Sequence, residues 1–251
     1  MSISIFSVRL QCIPILLCAA LLLHSHPSHA ELDLDTWDFL LESAVTDGEV
    51  EYRLLDNNPS FDALVEQIAQ TDITGMTAPK KLVFYINAYN ILAVHGILDG
   101  GSPESLLGRY FYFKRDTYRI AGDKITLFQL EHQWIRPLKE PRIHFAIVCA
   151  SQSCPVLQRK AYRLDTLDEQ LESATKEFIN NPERNHFDND KRLAKLSSIF
   201  KWFEDDFAEA AGSLQAYLSP LVENKVVAER LKNEAFQIEY LTYDWHLNGK
   251  R

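Results

Sequence analysis

The run Leu82-Val83-Phe84-Tyr85-Ile86-Asn87-Ala88-Tyr89-Asn90-Ile91-Leu92-Ala93-Val94 constrains this chain more than any other segment. Pro79 suits a first helical turn and no breaker follows until Gly96, so a helix over residues 81–98 is predicted. It is apolar on nearly every side. Such a helix belongs at the centre of a domain, because any exposed face would leave apolar surface in water. The rest of the chain must therefore wrap around it. Asn87 and Asn90 are three apart and share a face of this helix. An unpaired buried amide costs about 1–3 kcal/mol. The two asparagines therefore either tie neighbouring backbone or line a polar site, and in the second case they are candidate catalytic-site residues.

Around this helix the periodicities alternate. Residues 35–44 read as a short amphipathic helix, Asp47-Gly48 as a turn and residues 49–54 as a strand. Ser60 is placed to cap a helix with Phe61, Leu64, Val65 and Ile68 at helical spacing. Residues 110–113 and 118–120 look like strands. Thr126 and Gln129 have capping-box spacing before a helix over 127–136 that ends at Pro137. A clear amphipathic helix over 164–179 turns Leu167, Leu171, Ala174 and Phe178 inward. Residues 192–196 and 236–243 read as further strands. The block Phe200, Trp202, Phe203 and Phe207 reads as core, and Asp205 with Asp206 as a solvated face. This pattern predicts a single α+β domain with a central mixed or antiparallel sheet and a long buried helix. No repeat, low-complexity tract or long linker interrupts it.

Residues 142–155 carry the candidate chemistry. Arg142 to Cys149 is apolar and rich in β-branched residues, and small polar turn formers follow at once, which predicts a buried strand ending at a thiol. On a regular strand Ile143, Phe145, Ile147 and Cys149 share one face, and His144 the other. That alternation makes His132, on the preceding helix, the better base for Cys149. Helical spacing sets His132 beside Arg136 and turns Glu131 about 100° away. A thiol becomes nucleophilic beside an imidazole, which in turn needs an acid or amide to hold it, a task that Asn87 or Asn90 could perform. The competing reading is a Cys149–Cys154 disulfide, which the four intervening residues allow. The Cys-x4-Cys spacing is not a strong zinc signature, and no metal or cofactor is expected.

The first 30 residues predict a secretory signal peptide, leaving residues 31–251 as one domain. Arg9 is their only charged side chain, residues 13–23 are apolar, and Ser28-His29-Ala30 fits a small-x-small cleavage site. The apolar run is too short to span a bilayer, which takes roughly 20 residues. Cleavage would take the formal charge from −9 to −10, and would leave Cys149 and Cys154 as the only cysteines in a compartment that permits disulfides. The acidic balance argues against nucleic acid as a partner. The expected location is exported, periplasmic, without membrane insertion after cleavage.

Seven phrases, in order, resemble the bacterial, exported branch of the family called domain of unknown function 547. They are residues 84–90; Leu130-Glu131-His132 leading to Arg136; residues 141–146 running into Cys149; Ser153-Cys154-Pro155; Ala161-Tyr162; residues 196–203; and residues 243–248. The likeness spans most of residues 32–248. It implies an exported bacterial domain of this class and, since the family name records no activity, no mechanism.

Two functional readings follow. One is a thiol-dependent hydrolase or acyltransferase acting on amide, peptide or thioester bonds of a peptide or small molecule. In it Cys149 is the nucleophile and His132 the base, Asn87 and Asn90 are supporting groups, and Glu131, Arg136, His144 and Cys154 are binding candidates. The other is a non-catalytic exported binding or scaffold domain whose two cysteines pair. The signal-peptide expectation is tested by N-terminal sequencing of protein exported by a native-like host. The chain should begin at Glu31, within a few residues, and an intact Met1 in the membrane fraction would refute cleavage.

Overall fold

The central helix runs Ala78–Leu98 in a computed structural model that describes residues 31–233 and 235–251. Fifteen of its residues, from Leu82 to Ile97, are buried, Asn87 and Asn90 among them. It is long and apolar enough to cross a membrane, but 83% of its apolar window is buried inside the protein, as in a core helix. Gly96 does not end it. A Cβ there would lie 2.4 Å from the Tyr118 hydroxyl and 3.0 Å from the Tyr112 ring, so the glycine is what lets those two tyrosines close on the helix.

The two buried asparagines tie backbone. Asn87 Nδ2 donates to the Val83 and Tyr162 carbonyls at 2.9 and 2.8 Å, and its Oδ1 accepts from the Tyr162 N–H at 3.0 Å. Asn90 Nδ2 donates to the Ala146 carbonyl at 2.9 Å, and its Oδ1 accepts from the Val148 N–H at 3.0 Å. Each amide thus does for a neighbouring segment what a strand partner would do.

The molecule is a single α+β domain. Helices Leu34–Ala44 and Pro59–Gln70 pack near the central helix, and Leu167–Asn180 lies against the segment Pro141–Phe145. Among the described residues the strands are divided among three small sheets. Val45–Thr46, Glu49–Glu51 and Gly249–Lys250 form one, and Thr117–Ile120 with Asp123–Thr126 an antiparallel hairpin. In the third, Leu193–Leu196 lies between antiparallel His186–Asp188 and parallel Gln237–Tyr240. The buried side chains form two clusters, one around the central helix and one built from Phe145, Phe178, Phe200, Phe207 and their neighbours.

Three local expectations are corrected. Residues 142–149 are not a strand. Pro141 opens a 3-10 helix, Pro141–Phe145, whose Arg142 N–H is capped by the Glu140 carboxylate at 3.1 Å, and an irregular turn follows. The run is apolar because it crosses the seam between the two clusters, with Ile143 in one and Phe145 in the other. A buried run has no polar face, so its period cannot separate strand from helix. Residues 110–113 are also helical. Leu106–Arg109, capped by Ser105, continues into the wide π turns of Tyr110–Arg115, which bury Tyr112 with its hydroxyl on the Ala93 carbonyl at 2.7 Å. Here tertiary packing overrides the strand preference of aromatic residues. Finally, Asn58 rather than Ser60 caps the helix Pro59–Gln70. The capping box of Thr126 and Gln129 is present as expected.

The asparagine clamps give a stability test. Asn87→Leu should lower unfolding stability by about 1–3 kcal/mol, because it leaves the buried Tyr162 N–H and carbonyl without partners. A urea midpoint and slope within error of wild type would contradict this.

Candidate functional site

Cys149 lies one residue past the clamp that Asn90 makes on Ala146 and Val148. The next residue, Ala150, has φ +56°, a left-handed conformation that costs a residue with a Cβ about 1–2 kcal/mol. Strain of this kind persists where surroundings over-determine the backbone, and here they do. Residues 150–153 are strapped to the C-terminal segment. The Gln152 and Ser153 N–H groups donate to the His246 and Asp244 carbonyls, the Asn248 N–H donates to the Ala150 carbonyl, and Ser151 bridges Leu247. The strap is itself anchored, since the Tyr52 hydroxyl donates to Asn248 Oδ1 at 2.6 Å in the core.

This strap brings the Tyr243 hydroxyl to 3.0 Å from Cys149 Sγ, and the Ser151 hydroxyl is also at 3.0 Å. The Cys149 N–H donates to Cys154 Sγ at 2.7 Å. Both cysteines are free thiols, not a disulfide. Burial pushes the Cys149 thiol up, but hydrogen bonds from Cys154, Ser151 and Tyr243 outweigh it, and the net shift is downward. Burial first, and then the neighbouring Cys149, push Cys154 well above an ordinary thiol. Burial also raises Tyr243, with the charges on the two cysteines adding to it, so its hydroxyl keeps its proton and can donate to a thiolate.

The sulfur faces a pocket at the seam of the two buried clusters. Its polar lining includes Cys149, Cys154, Glu131, His144 and Tyr243, and its walls are aromatic and aliphatic. Two π-helical turns shape it. Tyr110–Arg115 contributes Phe113 and Leu130–Ile135 contributes Glu131. Such wide turns recur at functional sites because they redirect side chains that an α-helix would aim elsewhere.

His144 is the most completely framed group in the pocket. Its ring stacks on Phe203 at 3.8 Å and is otherwise buried. Its Nε2 lies 2.7 Å from Asp206 Oδ2, and Arg136 grips the same carboxylate through Nε and Nη2, both at 2.8 Å. Burial raises Asp206, but the bonds from His144 and Arg136 outweigh it and hold the acid well below the usual carboxylate range. Burial holds His144 below the usual imidazole value, against the pull of Asp206. A neutral imidazole facing an ionised carboxylate must carry its proton on Nε2. Nδ1 is then the basic nitrogen, and it is buried with no hydrogen-bond partner. Its nearest acid, Glu131 Oε1, is 4.0 Å away, too far to bond. Burial pushes Glu131 up to about 8, with Arg136 opposing and the charges of Cys149 and Asp206 adding. The two carboxyl groups beside His144 therefore differ at neutral pH, one ionised and one protonated.

Of the sequence candidates, Cys149, Cys154, Glu131 and His144 meet in this pocket. His132 does not line it. Its ring stacks on Phe128 at 3.9 Å and its Nδ1 is bonded to the Phe128 carbonyl at 3.1 Å. The argument that turned His144 away from Cys149 rested on a strand that does not form. Asn87 and Asn90 hold backbone, and Arg136 acts on the pocket through Asp206. Sequence reasoning places Asp206 on a solvated face, whereas it is partly buried and bonded to both Arg136 and His144. It reads Trp202 and Phe203 as core, whereas both line the pocket and Trp202 is 46% exposed. It gives Tyr243 and Trp245 no role. Among the described residues, no group of three or more His, Cys, Asp or Glu side chains is arranged to hold a metal ion.

These features define an α+β domain with a free thiol and a buried histidine in one apolar pocket. The family described as Protein of unknown function, DUF547, matches over residues 73–179. The match contains Asn90, Glu131, His144, Cys149 and Cys154, and stops short of Asp206 and Tyr243. No curated protein and no solved structure gives a match.

The raised Glu131 has a consequence for stability. Its protonated form is favoured by folding, so its contribution is full below the ordinary value of 4.5 and is lost as pH rises through about 8. Asp206, shifted the other way, loses its contribution only at acid pH. The urea midpoint of wild type should therefore fall relative to that of Glu131→Gln between about pH 5 and about pH 9, a comparison in which the opposite contributions of the lowered His144 and Cys149 cancel. An unchanged slope in the variant would show that Glu131 titrates normally.

Proposed function

We propose that this protein is an exported thiol-dependent hydrolase or acyltransferase that acts on amide, peptide or thioester bonds. The observation that carries the reading is the shared pocket of Cys149, with a hydroxyl at 3.0 Å on each of two sides, and His144, with one nitrogen held by Asp206 and the other unpartnered. Nucleophile, base and orienting acid are the parts that acyl transfer needs. In this reading His144, not His132, is the base, and Asp206 fixes its tautomer. His144 Nδ1 takes the Cys149 thiol proton as the sulfur attacks a carbonyl carbon and the S–C bond forms. The bond from that carbon to the leaving nitrogen, oxygen or sulfur breaks with its electron pair, and the leaving atom takes the proton from His144 Nδ1. Water, giving a proton back to Nδ1, then cleaves the thioester, or another nucleophile takes the acyl group. The Tyr243 and Ser151 hydroxyls favour the thiolate before attack. Export rests on the amino-terminal pattern of residues 1–30, which lie outside the described residues.

The test is pre-steady-state reaction with p-nitrophenyl acetate. Wild type should release a stoichiometric burst of nitrophenol, and Cys149→Ser should abolish it. Positioned acid–base groups contribute on the order of 10²–10⁴ in rate, so His144→Gln should slow acylation about 100-fold or more, whereas His132→Gln should stay within about threefold. The acylation rate should fall as pH drops through the lowered Cys149 value, because protonation removes the thiolate. A Cys149→Ser variant with an intact burst, or equal losses at His132 and His144, would return the chain to the reading of a non-catalytic binding domain.

A further inference from the structure

The geometry points to a substrate class: we propose that the Cys149 pocket selects an acyl group bearing one uncharged, apolar side group about the size of a phenyl ring. This rests on the acyl-transfer reading above. The cavity measures about 150 Å³, and an apolar cavity of about that volume takes one benzene-sized group. Its walls are Phe113, Ile147, Ile199, Trp202, Phe203 and Trp245. Trp202 and Trp245 stack at 5.6 Å and 24°, and Tyr243 closes on both at 4.7 and 4.5 Å. They make an aromatic clamp beside the sulfur. Flat rings of this kind favour a planar or branched apolar partner through offset and edge contacts.

The other polar groups argue the same way, because apart from Cys149, which is engaged at the acyl carbon, none offers a free charge to a side chain that enters. Glu131 is pushed toward its neutral form by burial. Asp206 is already committed to Arg136 and His144, and Arg136 is outside the lining. Arg109 covers Trp245 at 4.5 Å and is likewise outside the lining, with its bonds going to the Pro103 and Glu104 carbonyls. A charged side group would shed water here without meeting a counter-charge, which is strongly unfavourable. An apolar one sheds only poorly bound water. The unpartnered His144 Nδ1 stays free for the proton transfer.

An apolar acyl group can arrive in a peptide or in a thioester, so the test uses both series. The first is acetyl-phenylalanyl, acetyl-aspartyl and acetyl-lysyl chloromethyl ketones, in which Cys149 sulfur displaces chloride. The second is phenylacetyl and succinyl thioesters of one common thiol. Each rate is divided by that for iodoacetamide, which has no side group, on the same protein, with the alkylated residue identified by mass spectrometry. In at least one series the apolar member should react on the order of 30-fold faster or more than the charged members, in the range that a single apolar pocket achieves. That series names the source. Trp202→Ala, checked for an unchanged unfolding midpoint, should bring the preference below about threefold. Equal normalised rates in both series would overturn the selectivity while leaving a reactive thiol in place. Failure of iodoacetamide itself to modify Cys149 would overturn the acyl-transfer reading and this inference with it.

Discussion

The amide of Asn90 is the interaction on which the site depends. It stands on the most buried helix of the protein and takes both a carbonyl and an N–H from the segment that leads to Cys149. No strand partner pairs that segment, so without the clamp its backbone would be buried and unsatisfied, a state proteins avoid. The amide is also what allows the segment to cross from one apolar cluster to the other in an irregular conformation. The thiol is thereby fixed relative to the centre of the core, and small misplacements of a reacting group cost large factors in rate.

The parts of the fold that were legible in the sequence are those with strong one-dimensional signals. The central helix announced itself by length and by having no polar face. The Thr126 capping box was visible as two residues three apart, and helix Leu167–Asn180 as a 3.6-residue period. The segment ending at Cys149 was misread because burial on all sides erases period, and the π turn of Tyr110–Arg115 because aromatic residues have strand preferences. The candidate site was half legible for a different reason. Cysteine and histidine stood out by chemistry, but the groups that tune them are remote in sequence. Asp206 lies 62 residues from His144 and Tyr243 lies 94 from Cys149. No local pattern encodes such pairings, and a lone Asp in an acidic stretch looks solvated until a fold brings it an arginine.

The two carboxyl groups flanking His144 show how the surroundings of one side chain sustain opposite protonation states. Asp206 has the Arg136 guanidinium and the imidazole N–H to stabilise its charge. Glu131 shares the neighbourhood of Arg136 but is buried without a direct bond to it, and burial prevails. Environments that drive two titratable groups apart are the usual basis for dividing acid and base roles.

The strap of residues 243–248 sets an order of events. A ribosome that has just completed Cys149 must add another 94 residues before Tyr243 exists. At about 5–20 residues per second that is roughly 5–20 s. Throughout that interval the nascent thiol lacks the Tyr243 hydroxyl, some or all of the Trp202, Phe203 and Trp245 walls, and the pins on residues 150–153. On the acyl-transfer proposal, the thiol is therefore made early and armed late.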